Sequence, residues 1–315
     1  MPQSRTRAYV GVGFAIAFWG ASFIATKFAL RDVSPATVVW LRFGMGLIIL
    51  GAAMFARRQF AIIPLRQWPF LALLGFLGIT FHQFLQSTAL VTSQATTTAW
   101  IVTTAPVFIA LLGFFVLHEQ LGATRVLGIA LAMFGVLLVV TKGNLASLFD
   151  GQFGAPGDIL NMISALNWAV FSVLSRRELN RHPPTRMMFY VMLFGWVFAG
   201  PLFFTGAGFA DIARLSLDGW LGVAFLGIFC SGFAYIFWYD ALKVIPAAQV
   251  GIFLSLEPFV TLVVAGVLLG ESFSPVGLLG GLIILAGVWL VNRPARMKSD
   301  VGELEQETRS IAAGE

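Results

Sequence analysis

Charge is scarce in this chain. Of its 315 residues only 11% are Asp, Glu, Lys or Arg, against 58% hydrophobic ones, and the mean hydropathy is +0.86. That is too little polar surface to cover a water-soluble globule of this length, so the composition predicts a bilayer protein. Cysteine occurs once, at Cys230, which excludes an intrachain disulfide. The three histidines, His82, His118 and His182, share no motif, and there is no Cys/His spacing that would hold a metal. The sequence lacks both a G-x-x-x-x-G-K-S/T phosphate cradle and a G-x-S-x-G nucleophile elbow. Neither ATP hydrolysis nor acyl transfer is therefore expected, and the chain reads as a non-enzyme without a cofactor.

What the sequence does contain is long apolar runs. Ten of them have the length of about twenty residues that crosses a roughly 30 Å hydrocarbon core as a helix. They predict spans 1 to 10 at 8–28, 35–55, 69–90, 94–117, 122–140, 157–175, 185–205, 217–240, 246–269 and 275–292. Arg5 and Arg7 precede the first run as in a secretory signal, but the run continues to about Leu30 without a clear cleavage site, so an uncleaved first helix is expected. The segment 293–315 mixes acids and bases and reads as a disordered cytoplasmic tail.

The net charge of +5 is explained by topology, with no need for nucleic acid. With a cytoplasmic N-terminus, the inner loops and tails collect Arg5, Arg7, Arg57, Arg58, Arg66, Arg125, Arg176, Arg177, Arg181, Arg186, Lys243, Arg293, Arg296, Lys298 and Arg309. The outer side holds only Lys27, Arg31, Lys142 and Arg214. The positive-inside rule then predicts two cytoplasmic termini in the cell inner (plasma) membrane.

The chain also repeats itself. Phe76-Leu77-Gly78-Ile79 returns as Phe225-Leu226-Gly227-Ile228, and Trp19 returns as Trp168, both at an offset of 149. After span 3 the offset reads 152, pairing Pro106 with Pro258, Glu119 with Glu271, Gly128 with Gly280 and Gly135 with Gly287. The repeats are 8–140 and 157–292. Five spans is an odd number, so the second copy is expected to lie inverted, with Lys27 outside and Arg176 inside.

These residues carry a family resemblance. Trp19-Gly20-Ala21-Ser22-Phe23 with Lys27, Leu41-Arg42-Phe43, Ala105-Pro106-Val107 leading to His118-Glu119-Gln120-Leu121, and Leu256-Glu257-Pro258 leading to Leu269-Gly270-Glu271 resemble the EamA-type members of the drug/metabolite transporter superfamily. The resemblance runs from about residue 10 to 292 and implies a central cavity ringed by spans 1, 3, 4, 6, 8 and 9.

Pro106 and Pro258 interrupt spans 4 and 9, either as plain packing kinks or as hinges. Glu257 stands well inside span 9, where a carboxylate costs at least about 2.5 kcal/mol. It is read either as a group for a substrate amine or a proton, or as a partner for helix ends near the kink; its counterpart in the first repeat is Ala105. Span 8 offers Tyr235 and Trp238 on one face, as cavity lining or interfacial belt. Span 3 offers His82, Gln83 and Gln86, grouped with Trp100 of span 4. Spans 1 and 6 supply Trp19, Ser22 and a polar stripe of Asn161, Ser164 and Asn167, the tryptophans reading most simply as packing. Arg42 reads as snorkelling to the outer interface or pairing with a helix-end carbonyl. Glu119 and Glu271 read as helix-end caps, and the glycines of spans 5 and 10 suit a scaffold or a homodimer contact.

The expected function is secondary transport of a small molecule across the lipid bilayer by rocking of the inverted halves. The resemblance implies efflux of amino acids or related amphipathic metabolites. A proton is the natural coupling ion if Glu257, His82 or Asp240 titrates. Sugar or sugar-derivative exchange is the alternative transport reading, and a non-transporting scaffold or sensor with a dry interior is the alternative of another class.

Overall fold

The computed structural model describes residues 5–118, 121–149, 153–179, 181–245, 247–272 and 274–293. Among the described residues ten helices are long and apolar enough to cross the bilayer: helix 1 Arg5–Ala29, helix 2 Pro35–Ala56, helix 3 Leu65–Ala89, helix 4 Ala95–Phe115, helix 5 Ala123–Val140, helix 6 Pro156–Ser175, helix 7 Pro184–Thr205, helix 8 Leu217–Leu242, helix 9 Gln249–Leu269 and helix 10 Pro275–Asn292. Each expected span is found within a few residues of its predicted bounds. The expected disordered tail, apart from Arg293, and Glu119 lie outside the described residues.

Local chemistry sets the boundaries. Pro35, Pro156, Pro184 and Pro275 each open a helix, where the missing N–H carries no penalty. Ser34 and Ser274 cap helices 2 and 10 by accepting from Thr37 N and Gly277 N. Helices 4 and 9 end alike, on residues in the left-handed region: His118 at φ +54° and Gly270 at φ +64°. These positions are repeat mates.

Ten crossings place Arg5 and Asn292 on one face, here the terminal face, and the other is the distal face. Helices 5 and 10 make the most extensive single helix pair between the halves, a glycine-lined seam. A Cβ on Gly128 would meet Gly287 O at 2.7 Å, and one on Gly135 would meet Gly280 O at 2.6 Å. Since Gly128 pairs with Gly280 and Gly135 with Gly287 in the repeat, each glycine touches the mate of the other, the contact pattern of a two-fold axis. These four glycines thus face the other half of the same chain.

The packing corrects the register read from the sequence. Gly75 of helix 3 abuts Val191 O and Phe194 of helix 7, whereas Gly227 of helix 8 abuts Arg42 O and Met45 of helix 2. Val191 and Phe194 are the mates of Arg42 and Met45 at offset 149, so Gly75, and not Gly78, is the packing equivalent of Gly227. Gly46 against Ser231 and Gly195 against Ile79 repeat the same relation. The offset therefore becomes 152 before helix 3. The connection between helices 7 and 8 holds the extra residues, including the short helix Gly208–Arg214. Insertions fall in connections because a packed helix cannot absorb them without turning its buried face outward. The shared Phe-Leu-Gly-Ile block lies almost one turn out of structural register, although both copies enter a π-helical stretch, Phe76–Phe81 and Phe225–Phe233.

Carboxylates fasten the distal face. Asp32 accepts from Ser216 N at 2.9 Å and Ser216 Oγ at 2.5 Å, and these bonds hold its carboxyl below the usual carboxylate range. Asp158 accepts from Ser93 Oγ at 2.7 Å, and Asp211 accepts from Ser34 N, Ser34 Oγ and Thr37 Oγ1 at 3.0, 2.6 and 2.7 Å. Burial alone raises the Asp211 carboxyl, but the hydrogen bonds from Ser34 and Thr37 prevail and hold it low. A carboxyl lowered in the folded state contributes stability above its unfolded value and loses it as pH falls through the folded one. Thermal stability in detergent is therefore expected to drop below about pH 4. Asp211→Asn should be less stable by about 1–3 kcal/mol at neutral pH and show a weaker acid drop; equal melting curves at pH 7 would contradict this.

Candidate functional site

Helices 4 and 9 are each broken before their proline. In helix 4 the break falls at Thr103 and Thr104, ahead of Pro106, and in helix 9 at the 3-10 turn Phe253–Leu256, ahead of Pro258. Thr103 and Thr104 donate their hydroxyls to Ala99 O and Ile101 O, 2.8 and 2.6 Å away, giving carbonyls near the break partners. Each proline thereby stands in the first turn of a new helical segment, where it is tolerated.

The breaks divide the two helices into halves that behave differently. The distal half of helix 9, Glu257–Leu269, packs against the distal half of helix 4, Ala95–Val102, while no comparable packing joins their terminal-face halves among the described residues. Glu271 closes the distal contact by accepting from Ala95 N at 2.8 Å, Thr96 N at 3.2 Å and Thr96 Oγ1 at 2.8 Å. A carboxylate on free N–H groups at a helix N-terminus is stabilised by both hydrogen bonds and the helix dipole. Glu271→Ala should weaken this closure by about 1–2 kcal/mol. The check is amide exchange in residues 95–98, which should quicken at least about fivefold; unchanged exchange would sink the latch.

Between these helices and helices 1, 2, 3, 6 and 8 lies a polar interior. Trp19 of helix 1 donates Nε1–H to Cys230 O at 3.1 Å, beside the π-helical stretch of helix 8, and its ring packs on Tyr235 at 5.6 Å and Trp238 at 5.2 Å. His82 meets Ser164 Oγ at 2.8 Å through Nδ1 and lies 4.8 Å from the Trp168 ring. Asn167 donates to Leu77 O at 2.8 Å in the π-helical stretch of helix 3. A π-helical turn leaves carbonyls poorly matched along the helix, and helices 1 and 6 each send a side chain to one. Asn161 donates to Thr98 Oγ1 at 2.8 Å, while its own Oδ1 is enclosed without a partner among the described residues.

The corrected register makes Gln83 the mate of Tyr235 and Gln86 the mate of Trp238. All four are among the residues expected from the sequence to line the cavity. The Gln86 amide, the Tyr235 hydroxyl and the half-buried Glu257 carboxylate have no hydrogen-bond partner among the described residues. Ser22 instead turns its hydroxyl back to Trp19 O at 2.6 Å. Trp100 departs from its expected group: it is 2% exposed, packs on Phe259 at 5.5 Å and fills the space over Gly281 of helix 10. Asp240, a proposed proton group, is engaged by Arg57 through two bonds of 2.7 Å and by Lys243 at 3.2 Å.

Arg42 is the residue that sequence reasoning misplaced. It does not snorkel. It is 4% exposed, with Nε on Ser231 Oγ at 3.1 Å, Nη1 on Gln83 Oε1 at 2.9 Å and its guanidinium 4.9 Å from the Phe43 ring. Its place eight residues into helix 2, about 10 Å from the end, was the available signal. Two surface clefts at the terminal face, by Phe55–Phe60 and by Thr6–Phe14 with Phe237, do not reach this interior.

Two inverted five-helix halves around such an interior define a membrane transporter. The chain belongs to the EamA-like transporter family, whose pattern matches residues 7–141 and again 155–293. A protein of Archaeoglobus fulgidus named an uncharacterized transporter is 29% identical over 285 residues, covering 90% of this chain and 97% of its own. A probable amino-acid metabolite efflux pump of Salmonella typhimurium is 28% identical over 304 residues, covering 90% and 95%. A probable terminal-alkyne amino-acid exporter of Streptantibioticus cattleyicolor is 27% identical over 291 residues, covering 91% and 94%. A solved crystal structure at 23% identity matches with a TM-score of 0.59 over 92% of this chain and 97% of that one, and so shares the fold.

Proposed function

We propose that this transporter is a secondary carrier that exports amino acids or related small amphipathic metabolites by alternating access, with both termini in the cytoplasm. The observation that carries this reading is the unequal packing of helices 4 and 9, latched by Glu271 at the distal face and without comparable packing towards the terminal face among the described residues. Rocking of the inverted halves about the glycine seam would exchange those two conditions, with Pro106 and Pro258 at the hinges. Tyr235, Trp238 and Trp19 supply aromatic surface for an apolar side chain, and Gln83, Gln86, His82 and Glu257 supply polar groups for its head. The names of the Salmonella and Streptantibioticus relatives support an amino-acid cargo.

The test is counterflow in proteoliposomes loaded with each of a panel of amino acids and sugars, with and without a pH gradient. Accumulation of labelled amino acids is expected. Flux of sugars alone would refute the cargo, and no flux for any solute would refute transport of this panel.

A further inference from the structure

The two halves differ in charge at two positions that face this interior. Arg42 of helix 2 has Val191 as its mate, and Glu257 of helix 9 has Ala105. Arg42 bonds Ser231, next to Cys230, and the Glu257 backbone packs against Gly20, next to Trp19 whose indole donates to Cys230 O, so both residues adjoin the same stretch of helix 8. One is cationic and the other acidic, and nothing in the repeat architecture requires either.

The surroundings of Arg42 are unusual for a buried cation. A guanidinium remains charged in a protein, and at the bilayer centre that charge costs about 2.5–3.5 kcal/mol even on the mildest scale. An acidic partner is the usual remedy, yet its acceptors among the described residues are an amide oxygen and a hydroxyl, both neutral. Nη2, with two N–H donors, has no acceptor among those residues. Its partner Gln83 adjoins His82 on helix 3, and its partner Ser231 stands about one turn from Tyr235 on helix 8, so the guanidinium belongs to the same interior as the candidate cargo site. Gly46 and Gly227 hold helix 8 close against helix 2: a Cβ on Gly46 would meet the Ser231 side chain at 2.6 Å, and one on Gly227 would meet Met45 at the same distance. That contact fixes Nε on Ser231 and prevents the arginine from swinging to the interface.

We infer that Arg42 is the carboxylate anchor of the transport site, holding one end of a zwitterionic cargo whose ammonium is met by Glu257. Arg42 recognises a carboxylate through charge-assisted N–H donors that Lys cannot reproduce in planar form. Gln83 and Ser231 orient the guanidinium, and the carboxylate of the cargo supplies the missing counter-charge. The inference deepens the carrier reading and rests on it, and it narrows the cargo to solutes bearing a carboxylate.

The experiment uses the full chain with two probes of equal shape, 4-methylpentanoate and its neutral amide 4-methylpentanamide. Each is titrated against the intrinsic tryptophan fluorescence, to which Trp19 and Trp238 contribute, and against amino-acid counterflow. The carboxylate should act at a concentration at least tenfold lower than the amide in the native protein. Arg42→Gln should bring the ratio near one, and Arg42→Lys should restore part of it. Equal potency of the two probes on the native protein overturns the anchor, even where Arg42→Gln fails to fold. Carboxylate selectivity without amino-acid flux would refute the amino-acid cargo while supporting the anchor; flux with equal potency would do the reverse.

Discussion

Glu257→Gln is expected to lower amino-acid counterflow about tenfold or more and to flatten its dependence on a pH gradient. A carboxylate inside the hydrocarbon core needs a cation, a proton or water, and the described residues give the Glu257 side chain no hydrogen bond. On the proposed reading it is ionised with a cargo ammonium beside it and protonated when the site is empty, which would tie cargo release to proton uptake. Loss of one charge-assisted contact is worth about 1.5–3 kcal/mol, or roughly ten- to a hundredfold in affinity. Glutamine keeps the size and the polar head, so the ten-helix fold should survive. Native flux and a native pH profile in the variant would remove Glu257 from the mechanism.

Gly287→Leu is expected to damage the fold itself. A Cβ there would lie 2.5 Å from both Ala132 N and Gly128 O, and these are backbone atoms that cannot yield without separating helices 5 and 10. Overpacking of this kind costs about 1–3 kcal/mol and sometimes more, and here it falls on the seam that joins the halves. Folded yield in detergent should fall severalfold and the melting midpoint by several degrees. Gly277→Ala is the contrast on the same helix, since its Cβ would come no nearer than 3.6 Å to Ser274 Cβ. It should be neutral or slightly stabilising. Equal melting of the two variants would show that the close approach is not what holds the seam.

Much of the candidate site could be read from residue type and depth. Trp19, His82, Gln83, Gln86, Tyr235 and Glu257 are polar or amphipathic groups within otherwise apolar runs, and such groups are expensive to leave against lipid. Trp100 had the same signature but a different neighbour, because Gly281 on helix 10 opens a slot that only the packed helices reveal. Arg42 was misread for a related reason. Sequence gives a residue's distance along a helix, and snorkelling is a reasonable default for a long cationic side chain, but the close approach of helices 2 and 8 at Gly46 and Gly227, which puts Ser231 beside its Nε, is visible only in the packing. The Phe-Leu-Gly-Ile block shows the limit of matching letters. Its identity aligned helices 3 and 8 at 149, while the glycine contacts align them at 152.

By itself the sequence determined the ten crossings, their alternation and the doubling of a five-helix unit, because hydropathy and the parity of spans act on the chain locally and need no partner. The tertiary structure alone decided the register of helices 3 and 8, the two-fold glycine seam, the distal closure by Glu271 and the burial of Arg42. Each of these depends on which atoms of a distant helix come within about 3 Å, a distance fixed by packing that a linear sequence does not contain.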